Sequence, residues 1–265
     1  MNFIMVSLKE TISCSCRRND VYLHSKRGFE DSYKKRPENV ERGEKEKREL
    51  LLKRQDSNRE RIYELNIGDP SRNVIEMIFR KTCPNQPKQV KNIERVLRVK
   101  NSTEALKRFE EYRETVKKRA YDQSTKHPRI SVDGNELLLF YSTVMACWSL
   151  KRQTTASKLC RNQMCGVCRR IRSGFETDGI SKRKEILLST TIGTRSEVPC
   201  IHKSYNVKKA VIVCRVIAGS VAVNKFEGCS KEEFDSVGSE GLCSKLEHFF
   251  VWNSSAVLPC FVIVY

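Results

Sequence analysis

Four cysteines, Cys147, Cys160, Cys165 and Cys168, follow one another at the spacing C-x12-C-x4-C-x2-C. Four thiolates complete a tetrahedral zinc shell with no coordination position left open, so the chemistry they imply is structural rather than catalytic. A site of this kind feeds about 10 kcal/mol or more of apparent binding energy into folding. Cys147 is the ligand that spacing fixes least, and His127, Cys200 and His202 stay open as the fourth donor. Unliganded cysteines in a reduced chain are the competing reading. Just upstream, Asp133 to Thr143 reads DGNELLLFYST: a glycine-led apolar strand, Glu136 to Phe140, that ends in the small polar step Tyr141-Ser142-Thr143. A strand that stops in a polar turn leaves backbone amides free, which is how a pocket wall is built. The expectation is a structural zinc site pinned behind such a wall. Cys214, Cys229, Cys243 and Cys260 lie in other stretches and read as small buried hydrophobes.

Little else in the chain has the spacing of a catalytic device. There is no Ser-His-acid arrangement, phosphate loop or H-E-x-x-H motif. His248 titrates near neutrality and is a candidate acid/base, or simply a packed residue among aromatic neighbours. Arg169, Arg170, Arg172, Lys182, Arg183 and Lys184 flank the cysteines. Basic groups on a rigid metal knuckle can meet a phosphate backbone, although no interleaved aromatic ladder for base stacking accompanies them.

The chain that must position these residues has 265 residues and a formal charge of +18, enough for one substantial core plus an arm. The charge suits an acidic partner such as nucleic acid. Twelve cysteines would suit a disulfide framework, but Met1 to Cys16 has no continuous apolar segment of a secretory signal. A reduced protein of the nucleus or cytoplasm is expected. The longest apolar run, Ala210 to Val223, contains Arg215 and is too short to cross a bilayer, so no membrane partner is expected.

Residues 1–63 are dense in Lys, Arg, Glu and Asp and read as a largely disordered arm, with a charged helix available over Glu41 to Arg61. Lys34-Lys35-Arg36 and Lys47-Arg48 suit nuclear targeting or nucleic-acid contact; a solvated linker is the plainer reading. The folded domain is expected over residues 64–265, with the cysteine cluster at 147–168. Asn73 to Arg80 reads as a short strand and Ile93 to Val99 as a half-buried one. Asn101 with Glu104 forms a capping-box pattern, followed by Ala105, Phe109, Tyr112 and Val116 at helical spacing to about Arg119. Arg169 to Phe175 reads as a short helix ending at Gly174. Glu185 to Thr190, Val207 to Ala218, Glu247 to Asn253 and Val257 to Tyr265 read as strands, the last at an edge or bulged because of Pro259.

Three stretches carry a resemblance: GNELLLF, the C-x4-C-x2-C-R cluster, and KKAVIVCRVIAG over Lys208 to Gly219. Together they resemble the C-terminal domain of plant proteins known as C2H2-like zinc finger proteins, a domain similar to the catalytic fold of poly(ADP-ribose) polymerases. Ser7-Leu8-Lys9 and His24-Ser25-Lys26 partly match the opening of that family. Its two-cysteine, two-histidine finger does not match, because Arg48 to Tyr63 contains neither Cys nor His. The resemblance implies an α+β, ADP-ribosyltransferase-like domain with a mixed β-sheet and a small structural zinc site.

It also implies a site. In that fold His-Gly-Thr holds the nicotinamide and a ribose hydroxyl of NAD, a tyrosine stacks on the ring, and a glutamate stabilises the charge that develops as nicotinamide leaves. These fall on Tyr141-Ser142-Thr143, on Leu188 and on His248, so each of the three required groups is replaced. Without the carboxylate a developing positive charge loses several kcal/mol of preorganised stabilisation. The resemblance therefore implies a catalytically inactive, zinc-binding module with a protein partner, and argues against NAD as a working cofactor. Two other functions remain to be weighed: a divergent mono-ADP-ribosyltransferase, and sequence-independent nucleic-acid binding through the basic arm.

Overall fold

A computed structural model describes residues 61–82, 92–122, 128–148, 157–176, 185–192, 207–223, 234–240 and 245–265. The chain divides into Met1–Arg59 and Glu60–Tyr265, and all described residues belong to the second unit. The expectations for the arm therefore lie outside the described residues, as do those for His127, Cys200, His202, Cys229, Cys243 and Lys182 to Lys184.

In chain order the elements are β1 (Arg61–Glu64), α1 (Pro70–Thr82), β2 (Arg95–Lys100), α2 (Thr103–Asp122), α3 (Pro128–Asp133), β3 (Glu136–Met145), β4 (Ser157–Lys158), α4 (Gly166–Arg172), β5 (Ile186–Ser189), β6 (Lys208–Ile217), β7 (Val221–Val223), β8 (Ser236–Glu240), β9 (Leu246–Val251) and β10 (Val257–Val264). All the described strands join one sheet in the order β4-β1-β2-β10-β6-β3-β5-β9-β8-β7. Only β7 and β8 run parallel; every other described pair is antiparallel. The domain is thus α+β with a mixed sheet.

The centre of the sheet is set by composition. β6 and β10 are runs of Val, Ile and Leu with almost every residue buried, as strands covered on both faces must be. Pro259 does not make β10 an edge strand: β10 lies between β2 and β6, and the pairing shifts register between Pro259 and Phe261. The bulge is how a central strand tolerates a residue without an N–H. The freed Pro259 carbonyl accepts from Asn101 Nδ2 at 2.8 Å.

That contact also corrects the expected cap of α2. Asn101 faces β10, and Ser102 caps the helix instead, its Oγ accepting from the Ala105 amide at 3.1 Å. Residues 73–80 are not a strand but the body of α1. Asp69 caps it, accepting from the Ser71 amide at 2.7 Å, and Pro70 takes the first helical position. Ile75, Ile78 and Phe79 then form one buried stripe. Nor is β2 half-buried by simple alternation: Val96 and Leu97 are both buried, on opposite faces, so neither side of the strand is open to solvent there.

A buried ion network ties α2 to the sheet. Glu136 receives both Arg215 Nε and Nη2, at 2.9 and 3.0 Å, and is also paired with Arg113. Both guanidiniums lie over the Phe109 ring, 5.1 and 5.2 Å from its centroid. Asp235 makes a second link, accepting from Tyr112, Arg119 and the Ser220 amide. Burial, followed by the Asp235 charge, pushes the Tyr112 hydroxyl well above its ordinary range.

Candidate metal centre and the wall behind it

β3 does not end at Phe140. It pairs with β6 without interruption from Glu136 opposite Ile217 to Met145 opposite Lys208. Tyr141-Ser142-Thr143 is therefore extended strand, not a turn, and its backbone groups on that side are committed to the ladder. The physical reason lies on both strands. Val144 and Met145 continue the apolar run beyond the polar step, and β6 supplies a partner of equal length. On its other side β3 meets β5 at one described pair only, Phe140 with Ser189, so the sheet opens there.

The cysteines gather beside this opening. Cys147 follows the end of β3, Cys160 follows β4, Cys165 precedes α4 and Cys168 lies within it. Their four sulfur atoms all lie within 4.8 Å of one another. Cys147 Sγ is 3.6 Å from both Cys165 Sγ and Cys168 Sγ. Tetrahedral zinc with Zn–S bonds of about 2.3 Å sets sulfurs about 3.8 Å apart, so this spacing suits a metal. Cys165 and Cys168 are buried, whereas Cys147 and Cys160 are half-exposed. Cys147, the donor that spacing fixed least, belongs to the cluster.

Local sequence explains the knuckle. Asn162 folds back on the chain, its Oδ1 accepting from the Met164 amide at 2.9 Å and its carbonyl from the Cys165 amide at 3.1 Å. Cys165 then stands at the N-cap of α4 without a side-chain cap bond, its sulfur turned to the cluster. Gly166 lets the helix start against the sheet: a Cβ there would sit 2.1 Å from Thr143 Oγ1. Arg172 secures the remaining arm by donating to the Cys160 carbonyl at 2.6 Å. The helix ends with Gly174 and Phe175 at positive φ, 58° and 65°.

The thiols polarise one another. Hydrogen bonds from Cys147 and Cys168 hold the Cys165 thiol far below its ordinary range. The bond to Cys165 pushes Cys147 up to about 12, and bonds to Cys147 and Cys165 push Cys168 well above the ordinary thiol range. Thiols this close do not all ionise together without a cation between them, so a metal-free cluster keeps some of its protons. Binding a divalent metal would release those protons.

The positions matched to the nicotinamide site do not converge. Phe140 pairs with Ser189, and Ser189 with His248, so these three share a face. Tyr141 and Leu188 are each one residue away and belong to the opposite face, where both are buried in the main core cluster. His248 is half-buried on the other side. Glu247 sits where pairing with β8 steps from His248 to Leu246, and its carbonyl accepts from Ser189 Oγ at 3.0 Å.

Tyr141 is enclosed. Its ring meets Phe175 edge-on at a centroid distance of 5.2 Å, and Arg170 Nε donates to its hydroxyl at 2.9 Å. Only 7% of the residue is exposed. Sequence reasoning missed this relationship because Arg170 stands in a row of basic residues flanking the cysteines, and nothing local to it names Tyr141 as its partner. Its only signal was the i, i+2 spacing of Cys168 and Arg170 across a helix that the metal cluster must seat. No protein-family model matches this sequence, and no curated protein sequence matches it.

Proposed function

We propose that the domain is a zinc-stapled interaction module of ADP-ribosyltransferase-like architecture that does not transfer ADP-ribose. Cys147, Cys160, Cys165 and Cys168 hold the zinc, whose role is to fasten α4 to the end of β3. The observation that carries this reading is the enclosure of Tyr141 by Arg170 and Phe175, two residues of the segment that the cysteines anchor. Where the resembling fold keeps an open wall for nicotinamide, this chain places a tyrosine, a guanidinium and a phenyl ring in contact. Leu188 has no polar atom to offer a cofactor, and His248 faces away from both.

The metal's contribution is the attraction of four thiolates in a closed shell, which adds folding energy and leaves no position for substrate. The chain's own residues do the rest. Asn162 shapes the knuckle, Gly166 permits close approach to Thr143, and Arg172 ties Cys160 to the helix. α4 has seven residues, well below the roughly 12–15 at which an isolated helix becomes marginal. It is held by this staple together with the packing of Val167 and Ile171 in the core. The partner is proposed to be a protein of the nucleus or cytoplasm. Arg170 and Arg172 serve internal contacts, which argues against their use on a nucleic acid.

Calorimetric titration of the zinc-loaded full chain with NAD, together with a modification assay using labelled NAD, tests this reading. No heat, no thermal stabilisation and no label transfer are expected at millimolar NAD. Transfer of label to the chain or to an added protein would overturn it.

A further inference from the structure

The four sulfurs are not equally protected, and the difference points to regulation. Cys165 and Cys168 are buried, while Cys147 and Cys160 reach the surface. Cys147 is also the sulfur placed 3.6 Å from both buried ones. From that distance a side-chain adjustment brings Cys147 to the roughly 2.05 Å of a disulfide, with either partner. The other described cysteines, Cys214 and Cys260, are buried in β6 and β10 and donate weakly to backbone carbonyls of their own strands.

We infer that the staple is a peroxide-sensitive switch in which oxidation of Cys147 to a disulfide with Cys165 or Cys168 expels the zinc and frees α4 from β3. This rests on the zinc reading above. The chemistry balances with a hydroperoxide as oxidant. The Cys147 thiolate attacks one peroxide oxygen and breaks the O–O bond. It becomes a sulfenic acid, and the hydroxide leaving group is protonated to water. A buried thiolate then attacks the sulfenyl sulfur, forms the S–S bond and expels a second hydroxide, which also takes a proton. Two thiolates lose two electrons, and one hydrogen peroxide becomes two waters. Zinc keeps two of its four ligands and dissociates.

The consequence reaches the wall. α4 carries Arg170 and leads into Phe175, the two residues that enclose Tyr141. A helix of seven residues is too short to stand alone, so with the staple lost only the packing of Val167 and Ile171 is left to hold it. Oxidation thus opens the Tyr141 face of β3 and changes the surface that a partner meets. Reduction with zinc present restores it.

The test begins by measuring zinc in the purified full chain, then adds hydrogen peroxide while a chromogenic chelator reports released metal. Peptide mass spectrometry identifies the bonded cysteines. One zinc per chain before oxidation, its release by peroxide and a Cys147–Cys165 or Cys147–Cys168 bridge are expected, with recovery after reduction and zinc addition. A chain that holds no zinc at the outset overturns both this inference and the zinc reading. Zinc that is bound but survives excess peroxide, or leaves with a bridge lacking Cys147, overturns the switch alone. Cys147→His keeps a metal ligand and removes the bridging sulfur, so it should retain zinc and lose the Cys147 bridge. Release from that variant as fast as from the wild type would contradict the role given to Cys147.

Discussion

Arg170 Nε donates to the Tyr141 hydroxyl at 2.9 Å, and its guanidinium carbon lies 5.5 Å from the centroid of the same ring. One residue belongs to the helix that carries Cys168 and the other to the long central strand β3. Their contact joins the cysteine cluster to the central sheet. Tyr141→Phe should cost about 0.5–1.5 kcal/mol, the worth of one ordinary hydrogen bond. Tyr141→His places a histidine where the proposed likeness would put one, but should not create NAD binding, since Arg170 and Phe175 lie against that position. Calorimetry with NAD on that variant checks the point, and measurable binding would contradict it.

Gly166 and Thr143 provide a test of how α4 meets the sheet. Gly166→Ala places a methyl group 2.1 Å from Thr143 Oγ1, and should destabilise by about 1–3 kcal/mol through overpacking. The next contacts, Val144 O at 3.4 Å and Thr143 Cβ at 3.5 Å, are ordinary. Adding Thr143→Ala to the variant should therefore recover much of the loss. Urea denaturation of the two single variants and the double variant measures this coupling.

Glu136 holds Arg113 and Arg215 inside the domain. Glu136→Gln takes the paired carboxylate from Arg215 and leaves Arg113 with Glu110, and should cost about 3–5 kcal/mol. Zinc content should be unchanged in whatever fraction remains folded. A loss near zero by chemical denaturation would show that the network is not essential to the fold.

Cys260 gives a pH dependence separate from the metal cluster. Burial pushes its thiol from 9.0 up to about 11, and burial also raises Cys214. The folded state therefore keeps a proton that the unfolded chain releases. Stability from Cys260 is fully present below pH 9 and is lost as pH rises towards 11. The slope is up to about 1.4 kcal/mol per pH unit for one group. Denaturation midpoints of the wild type and Cys260→Val across this range should diverge, with the variant showing the shallower fall.

The central strands were readable because their chemistry is one-dimensional: the Val and Ile run of β6 and the apolar run Leu137 to Phe140 of β3 need no knowledge of the fold. The cysteine cluster was readable because ligand spacing is itself the signal. What failed depended on neighbours. Asn73 to Arg80 has a strand-like Val-Ile pair, yet Asp69, Pro70 and the stripe Ile75, Ile78, Phe79 decide for helix. Tyr141-Ser142-Thr143 looked like a strand end, but a partner of equal length in β6 carries the ladder through it. Asn101 had the pattern of a cap, and the bulge at Pro259 claims its side chain instead. Small elements such as β7 and β8 exist only through pairing, which a local pattern does not encode.

The most direct measurement is the metal content of the purified full chain by elemental analysis, repeated for Cys165→Ser and Cys214→Ser. The account predicts about one zinc per chain in the wild type, loss of that zinc in Cys165→Ser and full retention in Cys214→Ser. Wild-type protein that folds cooperatively without any metal, or Cys165→Ser that keeps its zinc, would contradict it.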